Sequence, residues 1–468
     1  MTKIKFGTDG WRAIIAKEYT VENVARVAYA TGKWLKNKSK KPVVVIGHDC
    51  RFAGKMFAET TAKVLAHAGI KVLLAEGFVS TPMVSLGVVK TSSSLGVVIT
   101  ASHNPPEYNG FKLKGSFGGP LSPEDVSDVE SLIPENNELM LDQLSIEKFR
   151  ESGMIESIDL EDMYCKHVEE NFDLEAIKNS GLEFAYDAMY GAGQNVMRRL
   201  LPDITFLHAD NNPGFEGVAP EPIHRNLGEF SEVIRLSENI DCGLATDGDA
   251  DRIGLYNSRG EFVDSHHIIL LLIHYLYHHK NMRGKVVTAF SCSEKVRQLC
   301  EKLGLEQETV QIGFKYVCGV MLKEDCLLGG EESGGIAIKG HIPERDGIWM
   351  GLTIWEYMAK TGKSLDDLIK EVYDLVGEFS FERIDLHLTD EQKHQIMDNC
   401  KNGKYNAFGE YQVARVADID GYKFFFNDSE WVMIRPSGTE PVLRTYCEAE
   451  SSERAFDMLK KSHETLLN

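Results

Sequence analysis

The chain has 468 residues, with 51 Lys plus Arg against 71 Asp plus Glu for a formal charge of −20, and it is 43% hydrophobic and 26% charged. That balance excludes a disordered or disulfide-stapled chain, and its acidic field argues against duplex DNA and anionic membranes, which need a broad basic surface. The length gives room for roughly three to four domains of ~100–200 residues, and an anionic small molecule would need a local basic pocket.

In chain order, the amino terminus MTKIKFGTDGWR has no apolar export region, and its FGTDGWR at 6–12 supplies Gly7, Gly10 and Arg12 in what reads equally as a hairpin turn. VVVIG at 43–47 predicts a strand. After Ala53, the residues Phe57, Thr61, Val64, Leu65 and Ala68 recur at helical spacing, Gly69 suits the C′ position, and KVLLAE follows as a second strand. This is a βαβ unit. Similar alternation returns around 183–255 and 285–340, divided by a polar stretch at 134–150, a turn NSRGE at 257–261 and a break GEF at 377–379. IILLLIHYLY at 268–277 is too short to span a bilayer. The last part changes character, with short strands in EFSFERIDLHL and YKFFFN and a closing helix from Glu453 to Leu467. The expected architecture is therefore α/β: three related α/β domains with mixed, largely parallel sheets, at 1–150, 151–256 and 257–376, and a smaller α+β domain at 377–468. Nine scattered cysteines without a C-x-x-C pair point to a reduced, cytoplasmic setting.

Four apolar runs end in polar, glycine-bearing loops, the place where open α/β sheets collect ligands. In GVVITASHNPPEYNGFKLK at 96–114, Ser102 follows a strand beside His103 and an Asn-Pro turn. Such a serine either caps the turn or carries a phosphoryl group, and Lys112 offers a charge or, if desolvated, a base. In CGLATDGDADRIGLY at 242–256, Asp247, Asp249 and Asp251 turn three carboxylates toward one point, which suits a hard divalent cation. An EF-hand is excluded because its sixth position is Arg252 and its twelfth Ser258. Mg²⁺ with a phosphate oxygen fits better, with Arg252 meeting the same phosphate. In CLLGGEESGGIAIKG at 326–340, Glu331 and Ser333 are placed to bind adjacent hydroxyls, and HIPERDG adds His341 and Arg345. In WVMIRPSGTEPVLR at 431–444, Arg435, Ser437, Gly438 and Thr439 supply the donors a phosphate dianion asks for, and Arg444 follows.

FGTDGWR, TASHNP, DGDADR, GEESGG and RPSGTEP together, in this order and across nearly the whole chain, resemble the α-D-phosphohexomutase superfamily of phosphoglucomutases and phosphomannomutases. The resemblance implies four domains around a central cleft, Ser102 as a phosphoserine, and Mg²⁺ held by Asp247, Asp249 and Asp251 with the Ser102 group. It further implies that Glu331 and Ser333 bind the sugar and that Arg435, Ser437, Gly438 and Thr439 grip the non-reacting phosphate. Arg12, His103 and Lys112 match the family's reaction centre, Arg252 ends its metal loop, and a basic residue stands at Arg345 in glucose-type members. The reaction implied is hexose 1-phosphate to hexose 6-phosphate, glucose preferred, through a bisphosphate, with glucose 1,6-bisphosphate as activator. The partners implied are hexose phosphates, with neither nucleic acid nor membrane.

The chain departs from GEMSGH members at Gly335, where those carry a histidine, which leaves Lys112, His103 and His341 as alternative bases. Phosphomannomutase and phosphoglucosamine mutase compete on the same scaffold, though the latter tends to have Ser and Gln where Thr100 and Glu332 stand. Two other classes compete as well: a haloacid-dehalogenase-like phosphatase using Asp247, and a non-catalytic sugar-phosphate binder.

Overall fold

The structure is a computed structural model that describes residues 3–237, 239–436 and 442–467. One unit recurs three times. In the first sheet the strands run in the order Trp11–Ile14, Tyr108–Gly115, Leu95–Ile99, Val43–His48, Lys71–Ala75 and Ile155–Ile158. Leu95–Ile99 is parallel to Val43–His48 and then returns antiparallel as Tyr108–Gly115. The second sheet repeats this with Phe184–Asp187, Thr205–Leu207, Cys242–Thr246 and the antiparallel return Ile253–Asn257. The third repeats it with Lys285–Ala289, Gln307–Val310, Cys326–Gly330 and the return Ile336–Ile338. In every unit the polar loop of interest links the third strand to its antiparallel return, so all three loops leave the carboxyl edge of a buried strand. The fourth sheet is wholly antiparallel, and its loop joins Trp431–Pro436 to Val442–Ala449.

The expected α/β architecture is thus present. The sheets continue past the breaks expected at 150 and 256: Ile155–Ile158 adds to the first sheet beside Lys71–Ala75, and Phe262–Val263 edges the second. Both are short strands in polar surroundings, where pairing rather than composition defines them.

Local chemistry sets the elements. The helix Gly54–His67 follows Ala53, which sits at φ 60, and ends before Gly69 at φ +79. Helix Leu365–Val376 opens with a capping box of Ser364 and Asp367. The apolar run at 268–277 lies in helix Ser265–His278, almost wholly buried. It belongs to one hydrophobic core that runs through the first three units, from Val45 through Leu244 to Ile354. The fourth domain has its own core and meets the third through Phe290, Phe425, Trp431, Met433 and Tyr446. Among the described residues no helix is long and apolar enough to cross a membrane.

Candidate active site

Ser102 occupies the left-handed region at φ 53, directly beyond strand Leu95–Ile99. A non-glycine residue is held there only by its surroundings. Here Thr100 Oγ1 accepts from the Ser102 amide at 2.9 Å. The buried Arg51 guanidinium donates to four carbonyls of the loop, those of Ser102, Asn104, Pro105 and Tyr108, at 2.5–3.0 Å. Arg51 is in turn held by Asp49, 3.4 Å away, whose carboxylate also accepts from Thr100 Oγ1 at 2.5 Å. Burial pushes Asp49 up to about 6, opposed by Arg51. Sequence reasoning missed this Asp49–Arg51 clamp; the polar HDCR after a strand was the available signal.

The strained serine faces the second loop. Ser102 Oγ donates to Asp247 Oδ2 at 2.6 Å, and His103 Nδ1 lies 3.3 Å from the same Oγ. Close approach of the two loops requires Gly248, since a Cβ there would stand 2.6 Å from the Ser102 carbonyl. Asp247 Oδ1 accepts from the amides of Asp251 and Arg252, which curls the loop, with Ala250 left-handed at φ 56. Asp249 Oδ2 accepts from Thr81 Oγ1 at 2.5 Å and from Lys112 Nζ at 2.8 Å. Asp251 Oδ2 lies 3.1 Å from Lys112 Nζ and 2.7 Å from Arg345.

The other oxygens of this pair, Asp249 Oδ1 and Asp251 Oδ1, are buried with no hydrogen-bond partner, and one ligand atom from each Asp lies within 4.8 Å of the others. Bare buried carboxylate oxygens converging on one point fit a hard divalent cation. Burial, then Asp249 and Asp251, drive Asp247 well above the usual carboxylate range, so the triad needs a compensating positive charge to ionise fully. Among the described residues this is the one such group of metal-binding type.

Lys112 is completely buried. Against the cost of burial, Asp249, Asp251 and Asp9 hold its ammonium in the charged state. His103 is the opposite case: burial, then Arg252, Arg12 and Lys112, push it well below the usual histidine value, so it is neutral. Arg12 reaches Asn104 Oδ1 at 2.8 Å, and Gly10, at φ +93, lets its loop lie against Phe111. Arg252 lies 3.6 Å from Glu221 and bridges through its backbone to Gly335.

The third loop brings Glu331, 6% exposed, to 3.9 Å from Arg345. Burial raises Glu331 to about 7 despite Arg345. Arg345 also pairs with Asp9 at 2.5 Å, and its side chain fills the space that any side chain at Gly335 would need. Ser333 is half-buried in the same turn. His341, a base candidate on sequence, is elsewhere: its ring is buried, 2.9 Å from Asp346, 3.3 Å from His167 and stacked on Trp349. It serves the packing of the helix Gly347–Thr361, which Asp346 caps. Arg435 pairs with Asp420 and lies opposite Arg444 across the fourth hairpin. Ser437, Gly438 and Thr439 lie outside the described residues.

A serine facing a buried carboxylate triad, ringed by guanidinium and ammonium groups at the joint of three α/β units, is the arrangement of a phosphoryl-transfer enzyme. The chain matches phosphoglucomutase/phosphomannomutase α/β/α domain I over residues 3–140, domain II over 162–260, domain III over 264–376 and the C-terminal domain over 391–461. It belongs to the phosphoglucomutase/phosphomannomutase family of the α-D-phosphohexomutase superfamily, whose members are isomerases that interconvert sugar phosphates. It is 30% identical over 460 residues to the phosphoglucomutase/phosphomannomutase of Thermococcus kodakarensis, covering 97% of this chain and 96% of that protein. It is 29% identical over 468 residues to the phosphoglucosamine mutase of Caldicellulosiruptor bescii, covering 98% and 97%. The solved structure of a Thermus thermophilus protein, put forward as a phosphomannomutase, superposes over 100% of both chains with a TM-score of 0.88 at 33% identity.

Proposed function

We propose that the protein interconverts hexose 1-phosphate and hexose 6-phosphate, with glucose preferred and mannose a second substrate, through phospho-Ser102 and a hexose 1,6-bisphosphate. The observation that carries this reading is the strained Ser102, whose Oγ lies 2.6 Å from Asp247 of a buried triad. In the first transfer the Oγ–P bond of phospho-Ser102 breaks, a bond to the substrate's free hydroxyl oxygen forms, and the hydroxyl proton ends on Ser102 Oγ. In the second, the opposite sugar O–P bond of the turned-around bisphosphate breaks, a bond from that phosphorus to Ser102 Oγ forms, and the serine proton passes to the released sugar oxygen. Glucose 1,6-bisphosphate acts as activator by phosphorylating an unloaded Ser102.

Mg²⁺ held by Asp247, Asp249 and Asp251 with the Ser102 group would neutralise charge at the transferring phosphoryl. Arg12, Arg252 and Lys112 add fixed positive charge around the same oxygens. Lys112 acts as a charge, since three carboxylates keep its proton on. Neutral His103, 3.3 Å from Oγ, is the group suited to passing the proton. Glu331 and Ser333 bind hydroxyls presented alike in both orientations, beside Arg345, and Arg435 with Ser437, Gly438 and Thr439 grips the idle phosphate. The nine free cysteines, all buried, support work in the reducing cytoplasm.

A phosphoglucosamine mutase is the second reading, favoured by the name of the Caldicellulosiruptor bescii relative. The test is turnover of glucose 1-phosphate with Mg²⁺ and a trace of glucose 1,6-bisphosphate, beside mannose 1-phosphate and glucosamine 1-phosphate. Glucose 1-phosphate is expected to react fastest, and Ser102→Ala to be inert on every sugar. Turnover by that variant, or release of inorganic phosphate, would sink the phosphoserine route, and a preference for glucosamine 1-phosphate would establish the second reading.

A further inference from the structure

The Arg51 clamp belongs to the first unit, yet the second unit closes over it. The N–H groups of Arg51 are spent on the carbonyls of the serine loop. Its Cζ lies over the ring of Phe215, 5.0 Å from the centroid, and Phe215 is only 2% exposed. A guanidinium over an aromatic face is attracted by the ring, and the ring keeps water from competing for the same carbonyls. The neighbouring Cys50 is met from the same side, where Gln194 Nε2 lies 3.7 Å from its Sγ.

Phe215 is held in this place against its backbone preference. Phe215 and Glu216 are both left-handed, at φ 46 and 51, and Gly217 follows at φ +77. Successive non-glycine residues in that region persist only where their surroundings over-determine them. Here the Phe215 amide donates to the Asn212 carbonyl at 3.0 Å, and the Tyr190 hydroxyl donates to Glu216. The Tyr190 amide donates to the His208 carbonyl at 2.7 Å, and His208 Nδ1 lies 2.9 Å from the buried Asp187. A chain of restraints thus runs from the end of strand Phe184–Asp187 to the Phe215 ring. The same two connections of the second unit also hold the triad loop, because the Ala192 amide donates to the Gly248 carbonyl at 3.0 Å and the Gly248 amide to the Pro220 carbonyl at 3.3 Å.

We propose that Phe215 is a positioning residue for phosphoryl transfer, which seats the Arg51 clamp and thereby holds Ser102 at a fixed distance from the carboxylate triad. The proposal rests on the phosphoserine reading of Ser102 given above. One segment of the second unit, 208–220, fixes both sides of the reacting gap: Pro220 braces Gly248 beside Asp247, and Phe215 braces Arg51 behind Ser102. The 2.6 Å approach of Ser102 Oγ to Asp247 is therefore set from two directions. Phe215 acts through Arg51 and carries no chemistry itself.

The test uses the full chain, by steady-state kinetics and by amide hydrogen exchange without ligand. Phe215→Leu keeps the apolar bulk and the backbone cost of the left-handed position and removes the aromatic face. It is expected to lower kcat about tenfold with KM moved less than about twofold, while Phe215→Tyr stays within about threefold of wild type. In an Arg51→Lys background, Phe215→Leu should add nothing further, since both act on one loop. Exchange at 101–108 should be faster in Phe215→Leu than in the wild type, and exchange at 242–246 unchanged. A kcat for Phe215→Leu within about twofold of wild type, an equal loss in Phe215→Tyr, additive losses with Arg51→Lys, or unaltered exchange at 101–108 would each overturn the proposal. A wild type that turns over no hexose phosphate would instead defeat the function proposed above, and exchange at 101–108 would still decide whether Phe215 holds the serine loop.

Discussion

Lys114 Nζ and Glu344 Oε2 meet at 2.6 Å with both side chains fully buried, one from the first unit and one from the third. Removing one partner of such a pair strands the other charge, whereas replacing both with apolar groups of like volume is close to neutral. Glu344→Gln is therefore expected to lower stability by about 3–5 kcal/mol, and Lys114→Met with Glu344→Leu to recover most of it. Denaturant unfolding of the wild type and both variants checks this, and equal losses in the single and the double variant would refute it.

The Arg51 guanidinium spans four carbonyls of the Ser102 loop, a span that a lysine ammonium cannot reproduce. Arg51→Lys should lower kcat by about 100-fold, the order expected for a small misplacement of the reacting oxygen. Stabilisation by Mg²⁺ should persist, because no triad residue is touched. A kcat within a few-fold of wild type would show that the loop holds its shape without the clamp.

The bare oxygens of Asp249 and Asp251 predict a direct thermal readout. Mg²⁺ added after EDTA should raise the melting midpoint, with about 2.7 kcal/mol gained at a hundredfold excess over Kd. Asp249→Asn should lose most of that gain. If the variant keeps the full shift, the cation binds elsewhere.

Glu448 is buried beside Ser293, Lys423 and Lys295, and burial raises it to about 8 against the Ser293 hydroxyl and the two lysines. Its folded value lies above the unfolded carboxyl value near 4.5, so between the two the folded chain holds a proton that the unfolded chain releases. Stability from this group is full below about pH 4.5, falls as pH rises toward 8, and levels off above. Glu448→Gln should match wild type near pH 4.5 and melt higher by at least ~2 °C at pH 8.5. Parallel melting curves across that range would contradict the assignment.

Much of this was legible in the sequence, for a physical reason. A loop that must hold a metal or phosphate at a strand end concentrates Asp, Ser, Arg and Gly within a few residues, and DGDADR or TASHNP stand out for that. Asp9, Asp49, Arg51, Thr81, Lys114 and Glu344 escaped notice because each works through partners far along the chain. Arg345 and Asp9 are 336 positions apart. His341 failed as a base because chemistry alone does not tell a reactive imidazole from one buried between Trp349, His167 and Asp346. Gly335, read as a missing histidine, is explained by Arg345, whose side chain already fills that space.

Lys112 of the first unit neutralises Asp249 and Asp251 of the second, and Arg345 of the third answers Asp251 and Asp9. Each unit alone would bury or expose charges whose counterparts lie in its neighbours, so none is electrostatically complete until all three have docked. The proposed reaction centre is therefore also the seam of the three units. In many enzymes an active-site substitution relieves strain and stabilises the fold. Here, substitutions at Lys112 or Arg345 are expected to loosen the seam as well, because each removes a charge that joins one unit to another.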